Sequence, residues 1–283
     1  MRFLIPLLVL PIILISGCTN NPSSGNGVSV VAFEPDFSHV FSHEPVIFSI
    51  QLRNTGSVDA TDVRSVLLGL DEWGYDQPPQ SCRFNLRPPE PNFGTSGELK
   101  TCQVTVQAPS VSLPVEYRPS LRVTYGYNSA TVKAINVGSR DELRAIENRG
   151  AALPSETVSS TSSPILLTIA NKGPIRVFTD HLSFPVEITI SNSGGGVACN
   201  PNCGNDQNWN KVKFTAFFEG REIPDCSRRI TLFRGQSNSI TCTAEISGIP
   251  EIGIVQKTIQ VKAEYEYFID STTSVTVQPI PSQ

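Results

Sequence analysis

The sequence predicts an all-β chain built as two β-sandwich modules in tandem. Three observations lead there. The first is an internal repeat. Val40-Phe41-Ser42-His43 matches Val177-Phe178-Thr179-Asp180, and residues 48–56 match 186–194 through Ile50/Ile188, Leu52/Ile190, Asn54/Asn192 and Gly56/Gly194. Lys100-Thr101-Cys102 matches Ile240-Thr241-Cys242, and 121–127 matches 261–267 through Tyr125/Tyr265 and Tyr127/Tyr267. The offset drifts only from 137 to 140 residues, as loop insertions in a duplicated domain produce. The second is period two: Phe48, Ile50 and Leu52, like Val186, Ile188 and Ile190, alternate with polar residues, which marks strands packed on one face. The third is punctuation, since the 22 prolines and 20 glycines fall largely between such runs.

Length and charge bound the rest. The 283 residues allow two ordinary domains at about 100–200 residues each. With 22 Lys+Arg against 26 Asp+Glu, the net charge of -4 excludes a basic nucleic-acid footprint. At 39% hydrophobic residues there is enough apolar material for a core.

Residues 1–17 have the pattern of an export signal. Arg2 is the lone charge before an apolar run over 3–15, too short to span a bilayer comfortably and broken by Pro6 and Pro11. Ile15-Ser16-Gly17-Cys18 resembles the lipobox of prokaryotic lipoproteins. That resemblance implies cleavage before Cys18 and a lipid on its thiol. Residues 18–27 then read as a polar tether. Loss of Arg2 leaves 21 basic and 26 acidic residues, net -5.

The first module is expected over 28–138, with strands at 28–33, 48–52, 61–70, 99–106, 120–127 and 130–137. The turns Asn54-Thr55-Gly56 and Asn192-Ser193-Gly194 use residues that tolerate positive φ. Residues 139–163 form a linker. Ser139 with Glu142 three residues on is a capping-box pattern, so a short helix is expected over 139–149, closed by Gly150. The second module, 164–279, has strand runs at 165–170, 186–190, 212–218, 229–233, 239–246, 258–267 and 274–277. About seven short strands in about 110 residues suit a sandwich.

A strand ending in Leu52-Arg53-Asn54-Thr55-Gly56, followed by Ala60-Thr61-Asp62-Val63, resembles the signature of CARDB-type and related immunoglobulin-like domains of archaeal and bacterial surface proteins. The second half keeps Ile190-Ser191-Asn192-Ser193-Gly194. It replaces the continuation with an insertion containing Cys199 and Cys203. The resemblance implies two tandem immunoglobulin-like sandwiches and a surface location. It brings no catalytic residue.

Six cysteines remain after Cys18, an even set that reads as disulfides in an exported chain but allows 15 pairings. The repeat narrows these. Cys102 and Cys242 are equivalent, so Cys82–Cys102 and Cys226–Cys242 are expected, with Cys199–Cys203 closing the insertion. Loops near 20 residues contribute about 3 kcal/mol. A bond from Cys82 or Cys226 across the modules would instead lock them together.

No catalytic constellation stands out, and an enzyme is not expected. There are three histidines (His39, His43, His181) and no G-x-S-x-G elbow. Asp180-His181 reads as a turn. No metal or other cofactor is expected. His39 and His43 lie in an acidic segment, but four-residue spacing aligns ligands only on a helix, and Pro35 and Pro45 flank this stretch. Asp206 is the single acid in an Asn-rich insertion that offers side-chain carbonyls to Ca²⁺. Trp73 and Tyr75, in a Pro/Gly-rich loop, read either as a lid, with Trp73 covering the end of the core, or as exposed aromatics that stack on sugar rings or anchor a protein interface. Trp209 is expected to start a strand and pack inside. The four repeat tyrosines read as a core-facing stripe in each module.

The expected function is a non-enzymatic structural or interaction protein of an archaeal or bacterial envelope. A lipid on Cys18 would hold it to the outer face of the membrane, and its partner would be an envelope protein or a glycan. The alternatives are a carbohydrate-capturing module using Trp73 and Tyr75, and a filament subunit assembled through open strand edges.

Overall fold

A computed structural model describes residues 27–75, 82–178, 181–247 and 253–281. The signal segment 1–17, Cys18 and the tether up to residue 26 lie outside the described residues, as does Asp180.

The chain is all-β, as expected, with one α-helix among the described residues. The first half contributes β1 (Val28–Pro35), β2 (His39–Phe41), β3 (Pro45–Asn54), β4 (Ala60–Leu68), β5 (Arg83–Leu86), β6 (Leu99–Gln107), β7 (Val115–Tyr117) and the long β8 (Ser120–Ser139). Helix α1 (Arg140–Asn148) and β9 (Val158–Ser160) follow. The second half holds β10 (Ile165–Asn171), β11 (Ile175–Val177), β12 (His181–Asn192), β13 (Val197–Cys199), β14 (Lys211–Phe218), β15 (Arg221–Glu222), β16 (Arg228–Thr231), β17 (Ser237–Ser247), β18 (Ile254–Thr272) and β19 (Val275–Gln278).

Alternation decides which face is buried. Val46, Phe48, Ile50 and Leu52 of β3 point inward with Cys102, Val104 and Val106 of β6. Phe184, Val186, Ile188 and Ile190 of β12 do the same with Ile240, Cys242, Ala244 and Ile246 of β17. Two three-stranded antiparallel sheets result, β1-β3-β6 and β10-β12-β17. Both pack on one ten-stranded sheet, whose main path runs β15-β14-β18-β8-β4-β5.

That shared sheet is where the structure departs from sandwiches in series. Runs 120–127 and 130–137, read as two strands, are one strand. Residues 127–130, Tyr-Asn-Ser-Ala, have no Gly or Pro to make a tight hairpin. The inward alternation continues through Tyr127, Ser129 and Thr131. β18 pairs antiparallel with β8 along its whole length, from Ile254↔Gly138 to Thr272↔Ser120. The ladder resumes at Val275↔Tyr117 and ends at Val277↔Val115.

The consequence is a reciprocal exchange of last strands. The far half of β8 leaves the first half and pairs with β18 and, in parallel, with β11 of the second half. The end of β18 returns to the first half, where β19 lies between β2 and β7. Gly126 and Glu266 are repeat equivalents and pair directly, so the halves are related about this point.

The linker is bonded in place. Ser139 caps α1, its Oγ accepting from the Glu142 amide at 3.3 Å. Leu143 turns inward, and Gly150 follows the helix at φ 64°. β9 pairs with β8, and the Ser57 amide donates to the Ser162 carbonyl at 2.9 Å.

Candidate functional site

The Asn-x-Gly turns are built differently from the expectation. Neither Gly56 nor Gly194 has positive φ. Asn54 Nδ2 donates to the carbonyls of Val58 and Leu86, and its Oδ1 accepts from the Gly56 amide. Asn192 repeats this with Gly196, Gly235 and Gly194. The glycines are required by close approach, because a Cβ at either would meet the hydroxyl of Tyr127 or Tyr267.

Those tyrosines form one cluster across the exchange rather than a separate stripe in each half. Tyr125 stands opposite Tyr267 and Tyr127 opposite Tyr265, with the Tyr125–Tyr267 ring centroids 5.8 Å apart. The Tyr125 hydroxyl accepts from the Val28 amide where β1 begins, and Tyr265 accepts from Ile165 where β10 begins. Tyr267 accepts from the Gly196 amide and donates to Asn192 Oδ1 at 2.7 Å. Burial pushes the phenols of Tyr127 and Tyr267 up to about 12, and raises Tyr125 and Tyr265 as well.

The opposite face of the shared sheet carries the insertion. β13 adds to β18 through Val197↔Phe268 and Cys199↔Glu266, and the Cys199–Cys203 disulfide folds the loop back on the sheet. The Cys203 amide donates to Glu266 Oε2 at 2.7 Å, and Trp209 Nε1 donates to the Cys203 carbonyl at 3.1 Å. Trp209 therefore packs outside the sandwich, its ring 5.0 Å from that of Phe268, and not in the core as the sequence suggested. The Arg122 guanidinium lies 4.1 Å from the Phe268 ring centroid and forms two hydrogen bonds to Asp270, 2.8 and 2.7 Å, which raise its pKa.

Beside it, Arg64 Nη2 donates to Glu266 Oε1 at 2.8 Å, and Arg83 Nε reaches Asp62 at 2.6 Å. Asp62 sits at φ 50° in a bulge between Ala60 and Val63, so the Ala-Thr-Asp-Val segment re-aims β4 toward this network. Acids and bases balance across Asp62, Arg64, Arg83, Arg122, Glu266 and Asp270. These pairs and the Cys203–Glu266 hydrogen bond hold the insertion against the sheet. Sequence reading missed Arg122, Asp270, Glu266 and Arg64. The signal was there in Tyr267-Phe268 against Tyr127-Asn128, where consecutive aromatics interrupt the alternation and show that the outer face is covered.

The other expected residues are dispersed. Trp73 is 2% exposed and packs on Phe48 and Tyr117, so its ring lids the core and offers no stacking platform. Tyr75 is half-buried, its hydroxyl accepting from the Leu67 amide, and burial raises its pKa. His39 lies on the edge strand β2, with Ser38 Oγ 3.1 Å from Nδ1. His43 occupies a turn at φ 64°, and Asp206 stands in a short 3-10 turn of the insertion. No group of three or more His, Cys, Asp or Glu side chains converges among the described residues.

A separate cleft of about 460 Å³ opens in the second half between β15 and β17, with Phe218, Ile223 and Ile246 in its lining and Glu222, Asp225 and Glu245 around them. At its mouth, Glu219 pairs with Lys257. Burial raises the Glu219 carboxyl, but the Thr258 amide and Lys257 bring it below the ordinary range.

The disulfides Cys82–Cys102, Cys199–Cys203 and Cys226–Cys242 each stay within one half. They and the all-β fold fit a stabilised extracellular module. No helix among the described residues is long and apolar enough to cross a membrane. No protein-family model matches the chain, and comparison with curated proteins gives no match.

Proposed function

We propose that the chain is a lipid-anchored, non-enzymatic protein of a prokaryotic envelope that presents a rigid two-sandwich body to an envelope partner. The observation that carries the reading is the cysteine set. All six cysteines after Cys18 are joined in pairs inside an all-β fold. Cys18 is thus left as the one thiol for modification, and it stands in Ile-Ser-Gly-Cys after an apolar leader. The resemblance of both halves to CARDB-type immunoglobulin-like domains supports the same location. One acyl chain holds a protein only marginally, so stable anchoring implies more than one chain on Cys18. The insertion face, pinned by a disulfide and a salt-bridge network, is the surface best suited to a partner. The glycan alternative loses its support at Trp73, whose ring is in the core.

Expression of the full chain and of Cys18→Ala in a bacterial host, with fractionation and mass spectrometry of the mature N-terminus, tests this. The expected result is a membrane-bound parent chain beginning at an acylated Cys18 and an unanchored variant. A parent chain with a free Cys18 thiol, or one retaining residues 1–17, contradicts it.

A further inference from the structure

The place where the chain enters the fold sets how an anchored molecule sits. β1 begins at Val28, whose amide donates to the Tyr125 hydroxyl at 3.3 Å, and the Gly27 carbonyl accepts from the Thr55 amide. Tyr125 is one position from Gly126, the point about which the halves are related. Entry is therefore at the waist of an elongated body. Along the ladder, Val115 lies ten residues from Tyr125 and Gly138 thirteen. At about 3.3 Å per residue, these arms are about 33 and 43 Å long.

The entry point also has a side. Tyr125 and Tyr267 point inward from the shared sheet, so Gly27 lies in the layer of the two three-stranded sheets, against Pro164. Glu266, Phe268 and Arg122 point the other way, under the insertion. Chain entry and insertion are on opposite faces.

Cys18 is nine residues before Gly27, a reach of at most about 32 Å at full extension. Standing the body on either end would require the chain to run an arm's whole length, its full reach or more, before Cys18 meets the headgroups. Turning the insertion toward the membrane would take the chain around the flank of two layers about 10 Å apart. The lengthwise orientation with the entry side toward the membrane leaves the most slack. The faces it turns to the headgroups are rich in hydroxyls and amides: Thr101, Gln103 and Thr105 on β6, and Thr168, Thr189 and Thr241 in the other sheet. Thr189 and Ser239 hydroxyls are bonded at 2.7 Å.

We propose that the anchored protein lies along the membrane surface, with the outer faces of β1-β3-β6 and β10-β12-β17 against the lipid headgroups and the Cys199–Cys203 insertion facing away. This rests on the reading that Cys18 carries lipid.

The test uses the full lipidated chain on vesicles containing a headgroup quencher. A fluorophore is placed at Thr105→Cys, at its repeat equivalent Glu245→Cys, or at Glu264→Cys on the insertion side. Neutron reflectometry of the unlabelled protein on a supported bilayer is the second measurement. The expected result is loss of most emission at 105 and 245 alike, little loss at 264, and a protein layer much thinner than the ladder is long. Quenching at only one of 105 and 245 with a thick layer means an upright molecule, and quenching at 264 means the reverse face; either overturns the orientation and leaves anchoring intact. Failure of the parent chain to bind vesicles overturns the anchoring and, with it, this inference.

Discussion

Gly56 and Gly194 show how a local motif can be found correctly and explained wrongly. Asn-x-Gly marks a turn in both halves, and a tolerance for positive φ is the usual reason. Here the reason is a tyrosine hydroxyl from a distant strand, a contact invisible to local propensity. Gly194→Ala is expected to destabilise by about 1–3 kcal/mol, as overpacking does. Urea unfolding of Gly194→Ala, Tyr267→Phe and the double variant checks it. If the contact is the cause, removing the hydroxyl recovers part of the alanine's cost, and simple additivity refutes it. The same phenols give a pH limit. In an unfolded chain tyrosine ionises near pH 10, while Tyr127 and Tyr267 are held to about 12. Below pH 10 both states are neutral and stability is full. Between 10 and about 12 only the unfolded chain ionises, so stability falls. The unfolding midpoint should be flat to pH 10 and then drop, with phenolate absorbance rising as the fold is lost. Reversible ionisation of the cluster below pH 10 in the folded protein would contradict this.

At the level of elements, most strands were legible because period two is written into them. The β3, β6, β12 and β17 runs alternate cleanly, and Ser139 and Glu142 announced α1. What the pattern did not show was continuity. The two runs within β8 read as separate strands, because nothing local says that this strand continues to a partner far along the chain, as where Gly126 pairs with Glu266. The repeat did place Cys102 and Cys242 in equivalent positions, and from there the pairings could be read. The small strand β19 carries a specific expectation. Its Val275 and Val277 are buried, the Ser42 amide donates to the Gln278 carbonyl, and the Thr276 amide donates to Ser38. A chain ending at Ser274 should therefore lose protection in the first half, not the second. Amide exchange in 39–42 and 115–117 should rise by about tenfold or more, with β12 unchanged. Equal loosening of both halves would count against the placement of β19.

Taken whole, the molecule is a duplicated sandwich whose copies complete each other. The duplication was visible in four matched blocks; the exchange was not, since repeats report equivalence and not which copy a strand joins. Burial of Trp73 was likewise open in the sequence, where a loop aromatic looks the same whether it lids a core or faces a ligand. Each half depends on the other's last strand, while every disulfide stays within its own half. The linker is then not what holds the molecule together. The most direct measurement is cleavage at a protease site inserted between the exposed Ala151 and Ala152, followed by gel filtration with the disulfides intact. Exchanged strands predict that the two fragments elute together at the size of the uncut protein and part only in denaturant. Elution as two separate, folded fragments without denaturant would show that each half closes on itself.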